Sequence, residues 1–239
     1  MKWTSAKKPV ILAILFLLPV IFLLFLYPST HNYNSLDIVH GPVQDITNVL
    51  PEDEIELDFY DNISILLFLG EDPLENATSA LNVKEMVYDK FRGFKRFQII
   101  GLVGEESDRS IEELKKKLYQ YDELTYWNFI KAGKEETERI FNGLLTGSEL
   151  KADNSFDGIF IIDKDLMQRG RLDDRNKSEL KKEAQVYPLY HYNSIEVAEL
   201  KNKLSDDLRI LFTEYRQKRK GNFDSSSRRA DDLKSNEEN

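Results

Sequence analysis

An α/β fold, a central mixed sheet flanked by helices behind an N-terminal transmembrane helix, is predicted by three features of the 239-residue chain. Two near-continuous apolar runs, ISILLFLG (63–70) and FQIIGLVG (97–104), have the pattern of strands buried on both faces. Amphipathic segments at helical spacing lie between and after them. A third apolar strand, inside DGIFIIDKDLMQRGRLDD (157–174), runs into a charged turn at Asp163–Asp165 and a return strand ending near Leu172.

Each element has its own signals. Residues 9–27 hold 19 positions without a charge, about 28 Å as a helix at roughly 1.5 Å per residue. Lys2, Lys7 and Lys8 precede them, so the positive-inside rule predicts a single-pass signal-anchor with residues 1–8 in the cytoplasm and the domain on the periplasmic or extracytoplasmic side. Residues 28–40 are polar and read as a tether, 41–219 as the domain, and 220–239 as a disordered tail with too little apolar surface to offset ordering entropy. A short N-terminal hairpin is expected around Ile55–Phe59.

Asn82 and Glu85 have capping-box spacing ahead of a helix whose Val83, Met86, Val87 and Phe91 share a face. Ser110 and Glu113 suggest the same for a helix with Ile111, Leu114, Leu118 and Tyr121 inward. A further amphipathic helix is expected over Glu135–Leu145, with Ile140, Phe141, Leu144 and Leu145 inward. The long last helix runs from Ser194 to about Arg219, with Val197, Leu200, Leu204, Leu208, Leu211 and Tyr215 as its stripe. The order is a β-α-β unit, two helices, a β-hairpin and a terminal helix. The two core strands should therefore be parallel with a right-handed crossover, which is the thioredoxin-like arrangement.

Composition excludes several functions. There is no cysteine, so disulfides, thiol redox chemistry and thiolate metal ligands are all absent. Beyond residue 30 the chain carries 30 basic and 42 acidic residues, a net charge of −12, which disfavours a nucleic-acid role. No G-x-S-x-G, H-E-x-x-H, P-loop or G-x-G-x-x-G occurs. The sequons at Asn62, Asn76 and Asn176 matter only in a glycosylating pathway.

LTYWNFIKAGKEETERIFNGL (124–144) resembles the W-x-F-L-T-G-D-K-E-E-I-Y-x-L-A stretch of Sco-family proteins, and IFIIDKDLMQRGRLDD resembles that family's hairpin. The resemblance covers roughly residues 55–174. It implies a membrane-anchored thioredoxin fold of the kind that delivers copper during cytochrome c oxidase assembly. That family's ligands are a C-P-x-x-C-P loop after the first core strand and one histidine. On this sequence the cysteine positions fall on Asp72, followed by a retained Pro73, and on Asn76, and the histidine position falls on or near Ser155. Hard oxygens bind copper(I) poorly. Family-type copper delivery and disulfide exchange are therefore not expected, nor is a cofactor.

Three readings of function follow. The first is a non-catalytic accessory or assembly partner of a membrane complex of respiratory-oxidase type. The second is a Cu(II)- or Zn-handling protein using His191, His40 and carboxylates. The third is an enzyme with carboxylate chemistry in the Asp72 loop. Glu71, Asp72, Glu75 and Asn76 supply oxygens of the type Ca²⁺ or Mg²⁺ takes, but with no Asp-x-Asp-x-Asp-Gly-like spacing Asp72 and Asn76 read rather as cap and turn residues ahead of a helix. Tyr187, Tyr190, His191 and Tyr192 form an aromatic group that can cover a sheet edge or present a partner surface. Asp163 and Asp165 read as a solvated turn, and Arg169 and Arg171 as exposed partners of nearby carboxylates.

Overall fold

The computed structural model describes residues 7–26, 35–48, 57–119 and 124–219. The chain divides into two units, Met1–Asn34 and Ser35–Asn239, each taken by itself. The first holds helix α1, Lys7–Leu26, which passes through Pro19 without a break. Its side chains are described for 11–22, where large apolar groups from Ile11 to Phe22 stand exposed. Among the described residues no helix is long and apolar enough to cross a membrane.

The second unit is built on one mixed sheet. Its strands are β1 (Asp37–His40), β2 (Ile63–Gly70), β3 (Phe97–Val103), β4 (Trp127–Lys131), β5 (Ser155–Ile162), β6 (Gln168–Gly170) and β7 (Tyr192–Asn193). The order is β1-β6-β5-β2-β3-β4, with β7 paired to β5. β2 and β3 are parallel, as are β3 and β4, whereas β5 is antiparallel to β2 and β6 to β5. A β-α-β unit whose first strand pairs with an antiparallel hairpin is the thioredoxin-like topology. β1 occupies 37–40, so the end of the expected tether is in fact an edge strand of the sheet.

The two faces of the sheet follow the period of two along each strand. From β2, Ile63, Ile65, Leu67 and Leu69 enter one core; Leu66 and Phe68 enter the other. The first core is closed by α2 (Ala77–Val83), α3 (Asp89–Phe91), α4 (Asp108–Leu118) and the last helix. The second is closed by α5 (Lys134–Asn142), through Ile140 and Phe141, with Leu144 just beyond it and Val43, Ile46 and Phe59. Leu145 is only half-buried.

Helix starts differ from the sequence signals. The helix after β2 begins at Ala77, so Asn82 is interior, and its amide donates to the carbonyls of Ser194 and Ile195. α4 starts at Asp108 with Ser107 ahead of it, three residues before the expected cap at Ser110. Ser107 donates its hydroxyl to Gly104 O at 2.6 Å. Tertiary contacts at the strand ends fix these starts, and local capping patterns do not record them.

The last helix comprises α7 (Val197–Glu199), a π turn (Leu200–Leu204) and α8 (Ser205–Arg219). A second π turn, Lys84–Tyr88, links α2 to α3, and Ser205 donates to its Met86 carbonyl at 3.1 Å. A widened turn leaves a carbonyl for such an outside donor. The segment at 175–193 contributes α6 (Lys177–Lys181), capped by a full Asn176–Glu179 box, before β7. Most of the expected Ile55–Phe59 hairpin and the 220–239 tail lie outside the described residues, and 57–59 carry no strand.

Candidate functional site

The loop that leaves β2 is held against the residues that open β5. Gly70 adopts φ +76, and an added Cβ there would lie 2.7 Å from the Asp153 carbonyl oxygen. Glu71 N donates to that same carbonyl at 2.9 Å, and Asn154 Nδ2 donates to Glu71 Oε1 at 2.7 Å. Close approach of two backbones is what requires glycine at position 70.

Asp72, Asn76 and Ser155, the positions that the resemblance singles out, are all engaged within this corner. Asp72, half-buried, accepts Leu74 N on Oδ1 at 2.9 Å in an Asx turn, ahead of a buried Pro73. Asn76 stands at the N-cap of α2 but makes no side-chain capping bond. Its amide turns back to Leu69 O at 3.0 Å and Asp153 Oδ2 at 3.3 Å. Ser155 is buried, and both its hydroxyl (2.7 Å) and its amide (3.1 Å) donate to Asp153 Oδ1. Asn76 and Ser155 thus meet through one carboxylate, while Asp72 closes its own turn.

Burial alone would raise the Asp153 pKa. Hydrogen bonds from Ser155 and Asn76 outweigh it and hold the carboxyl below its ordinary value. Asp153 is the residue the sequence does not mark. A polar D-N-S turn before a strand was its only trace, and its partner Asn76 lies 77 positions earlier.

The Tyr187–Tyr192 group does not form one surface. Tyr187 is exposed and donates to Glu179 Oε2, and Tyr190 lends its carbonyl to Gln168 Nε2 at 2.9 Å. Tyr192 is fully buried and donates its hydroxyl to Asp207 Oδ2 at 2.7 Å, so it is a core residue and cannot be part of a partner surface. His191 packs edge-on against Phe156, ring centroids 4.9 Å apart, and its Nδ1 is buried with no partner among the described residues. Burial lowers its pKa, with Glu199 opposing. His40 is exposed in β1, and His31 lies outside the described residues. Among the described residues no group of three or more His, Asp or Glu side chains is placed to hold a metal ion.

In the hairpin turn Asp165 is exposed as expected, whereas Asp163 and Arg169 are buried and Arg171 is half-buried. Asp163 is fully buried; Oδ1 accepts the amides of Asp165 and Met167, and Oδ2 accepts Arg169 Nε at 2.5 Å. Arg169, also buried, reaches Leu36 O and Glu214. Arg171 is held by Asp207 and Asp174. Both guanidinium pKa values are raised: burial opposes the charge, and the facing carboxylates more than restore it.

No protein-family model and no curated protein matches the sequence. Among solved structures, the chain is similar to a SCO1/SenC family lipoprotein from Bacillus anthracis str. Ames, at 8% identity and a TM-score of 0.41, over 76% of this chain and 98% of that one. It is similar to yeast Sco1 at 9% identity and a TM-score of 0.38, over 70% and 94% of the two chains. A third is a thiol:disulfide interchange protein of the thioredoxin family from Chlorobium tepidum TLS, at 15% identity and a TM-score of 0.37, over 64% and 95%. The structural neighbours thus include Sco1/SenC proteins and other thioredoxin-family proteins, all at low identity, whereas this chain contains no cysteine.

Proposed function

We propose that the chain is a membrane-anchored, extracytoplasmic thioredoxin-like domain that works by binding, as an accessory or assembly partner of a membrane complex. One observation carries this reading. The loop that follows the first core strand is closed by its own hydrogen bonds, with Asn76 and Ser155 joined through Asp153. Such a loop offers no thiolate and no soft ligand, and the chain supplies none elsewhere. A respiratory-oxidase-type complex is the partner class that the segments 124–144 and 159–174 suggest by their sequence resemblance.

The anchor is read from the sequence, where residues 9–27 hold 19 positions without a charge, about 28 Å as a helix at roughly 1.5 Å per residue. Lys2, Lys7 and Lys8 favour a cytoplasmic N-terminus.

Two measurements test the reading. The full chain should stay with membranes through alkaline carbonate washing and co-purify in fixed stoichiometry with a membrane complex after mild solubilisation. It should also take up no stoichiometric copper(I) when titrated against a chromogenic chelator. A tight one-to-one copper(I) complex, or full release by carbonate, overturns it.

A further inference from the structure

At the opposite end of the sheet from the Asp72 loop, where β2 starts and β5 ends, lies a groove of about 1010 Å³. Its walls are the 93–96 loop, the hairpin turn at 164–165 and the last turns of α8. Six basic and two acidic side chains line it, a net charge of +4 on a chain whose total is −9. The remainder of the chain therefore carries −13, and the groove is a positive island on an acidic molecule.

The cations converge. Arg96 and Lys164 both reach Asp61, at 3.3 Å and 2.9 Å, and hold its carboxyl ionised with a lowered pKa. Lys164 Nζ stands 5.9 Å from the Tyr215 ring centroid and Lys218 Nζ 4.9 Å from it, so one aromatic ring attracts two ammonium groups. Phe94 and Phe212 stack 4.3 Å apart beside them, an apolar floor for the groove. At the rim, Lys95, Arg216 and Arg219 are exposed, and none has an ion-pair partner among the described residues. Three side chains of one sign, left without local partners beside an aromatic floor, fit an anionic ligand with an apolar anchor.

We infer that this groove binds a short acidic segment of a protein partner, with Asp or Glu side chains against the rim cations and an aromatic or aliphatic side chain on the Phe94–Phe212 floor. The charge distribution decides against larger polyanions. A nucleic-acid strand or a lipid surface extends past the groove and meets the −13 remainder, whereas a short peptide ends inside it. Concavity argues the same way, because an extended chain fills a groove and a planar membrane bridges it. The inference deepens the assembly-partner reading by giving that partner's chemistry and its contact surface.

The test uses the full chain in nanodiscs of zwitterionic lipid. The probe is a short fluorescein-labelled peptide of alternating Glu and Asp around one Phe, followed by anisotropy. Wild type should bind it, more weakly as salt rises. The triple variant Lys95→Glu, Arg216→Glu, Arg219→Glu should lose about tenfold or more in affinity. Its thermal unfolding should match wild type, since the three side chains have no ion-pair partner to lose among the described residues. No peptide binding, or equal binding by the triple variant, overturns the inference. So does tighter binding of an oligothymidylate of matching length, or displacement of the peptide by dihexanoyl phosphatidylglycerol. If wild type and triple variant capture the same membrane complex equally, the groove is overturned and the partner reading stands. If neither captures one while the peptide binds as expected, the converse holds.

Discussion

Arg169 of β6 and Glu214 of α8 meet with both side chains withdrawn from solvent, Nη2 to Oε1 at 3.1 Å, on a guanidinium whose Nε is already bound to the buried Asp163. Lys218 closes the chain of charges on Glu214 at 2.9 Å. The hairpin is thereby fastened to a helix 45 positions later. Isolated buried charges are costly, and this cluster persists because every member is paired.

Removing the shared cation should therefore be severe. Arg169→Ala leaves Asp163 and Glu214 as buried carboxylates and should cost about 3–5 kcal/mol, a large part of the roughly 5–15 kcal/mol typical of a domain. Urea unfolding followed by Trp127 fluorescence measures it. A loss under about 1 kcal/mol shows that water or a rearranged lysine replaces the guanidinium.

The same cluster shows what a single sequence conceals. β2 and β3 were legible because strands covered on both faces read as unbroken apolar runs, and their parallel pairing followed from the helix between them. Asp163 and Arg169 were not, because a charged turn next to a strand has the same local pattern whether it meets water or a later helix. Asn76 and Ser155 were singled out by the sequence resemblance, but Asp153, which joins them, was not; its bond to Asn76 crosses 77 residues. Tyr187, Tyr190, His191 and Tyr192 do not act as the single group expected, since β7 turns the Tyr192 ring into the core.

The Asp153 corner makes a pH prediction. Its carboxyl is held below the ordinary value, so the native state binds the proton less readily than the unfolded chain does. Stability from this group is complete above the unfolded carboxyl pKa, about 3.9, and is lost as pH falls through the lower folded pKa. Asp153→Ala should cost about 1–3 kcal/mol at neutral pH, the scale of hydrogen bonds to a charged group. The gap between variant and wild type should close below about pH 4. Urea midpoints at neutral and acid pH decide this; a gap that is constant with pH removes the carboxylate from the account.

Gly70 tests the backbone geometry of the same corner. Gly70→Ala puts a Cβ 2.7 Å from Asp153 O and 2.9 Å from Ser155 Cβ at a positive φ. Left-handed strain and overpacking together predict a loss of about 2–4 kcal/mol. Thermal unfolding gives the value, and a neutral substitution would mean that the 153–155 segment moves away freely.

The two outer tyrosines of the 187–192 group should part company. Tyr192→Phe deletes the 2.7 Å bond to Asp207 while Arg171 keeps that carboxylate paired, so a loss of about 1–2 kcal/mol is expected. Tyr187→Phe removes an exposed bond to Glu179 and should fall within about 0.5 kcal/mol of wild type. Equal losses in denaturant titrations would contradict the burial difference between the two rings.

Two cysteines placed in the loop ask whether its backbone can present a pair of soft ligands. Asp72 sits in the turn after β2 and Asn76 at the N-cap of α2, so a cysteine at each places two thiols in one short loop. Asp72→Cys with Asn76→Cys should bind about one copper(I), read by competition with a chromogenic chelator, because two thiolates suit that ion as the native oxygens do not. The same pair should cost about 1–2 kcal/mol, since the Asn76 bonds to Leu69 O and Asp153 are lost. If the thiols are titratable and the protein folded, yet no copper(I) binds, the loop backbone does not hold positions 72 and 76 in a ligand geometry.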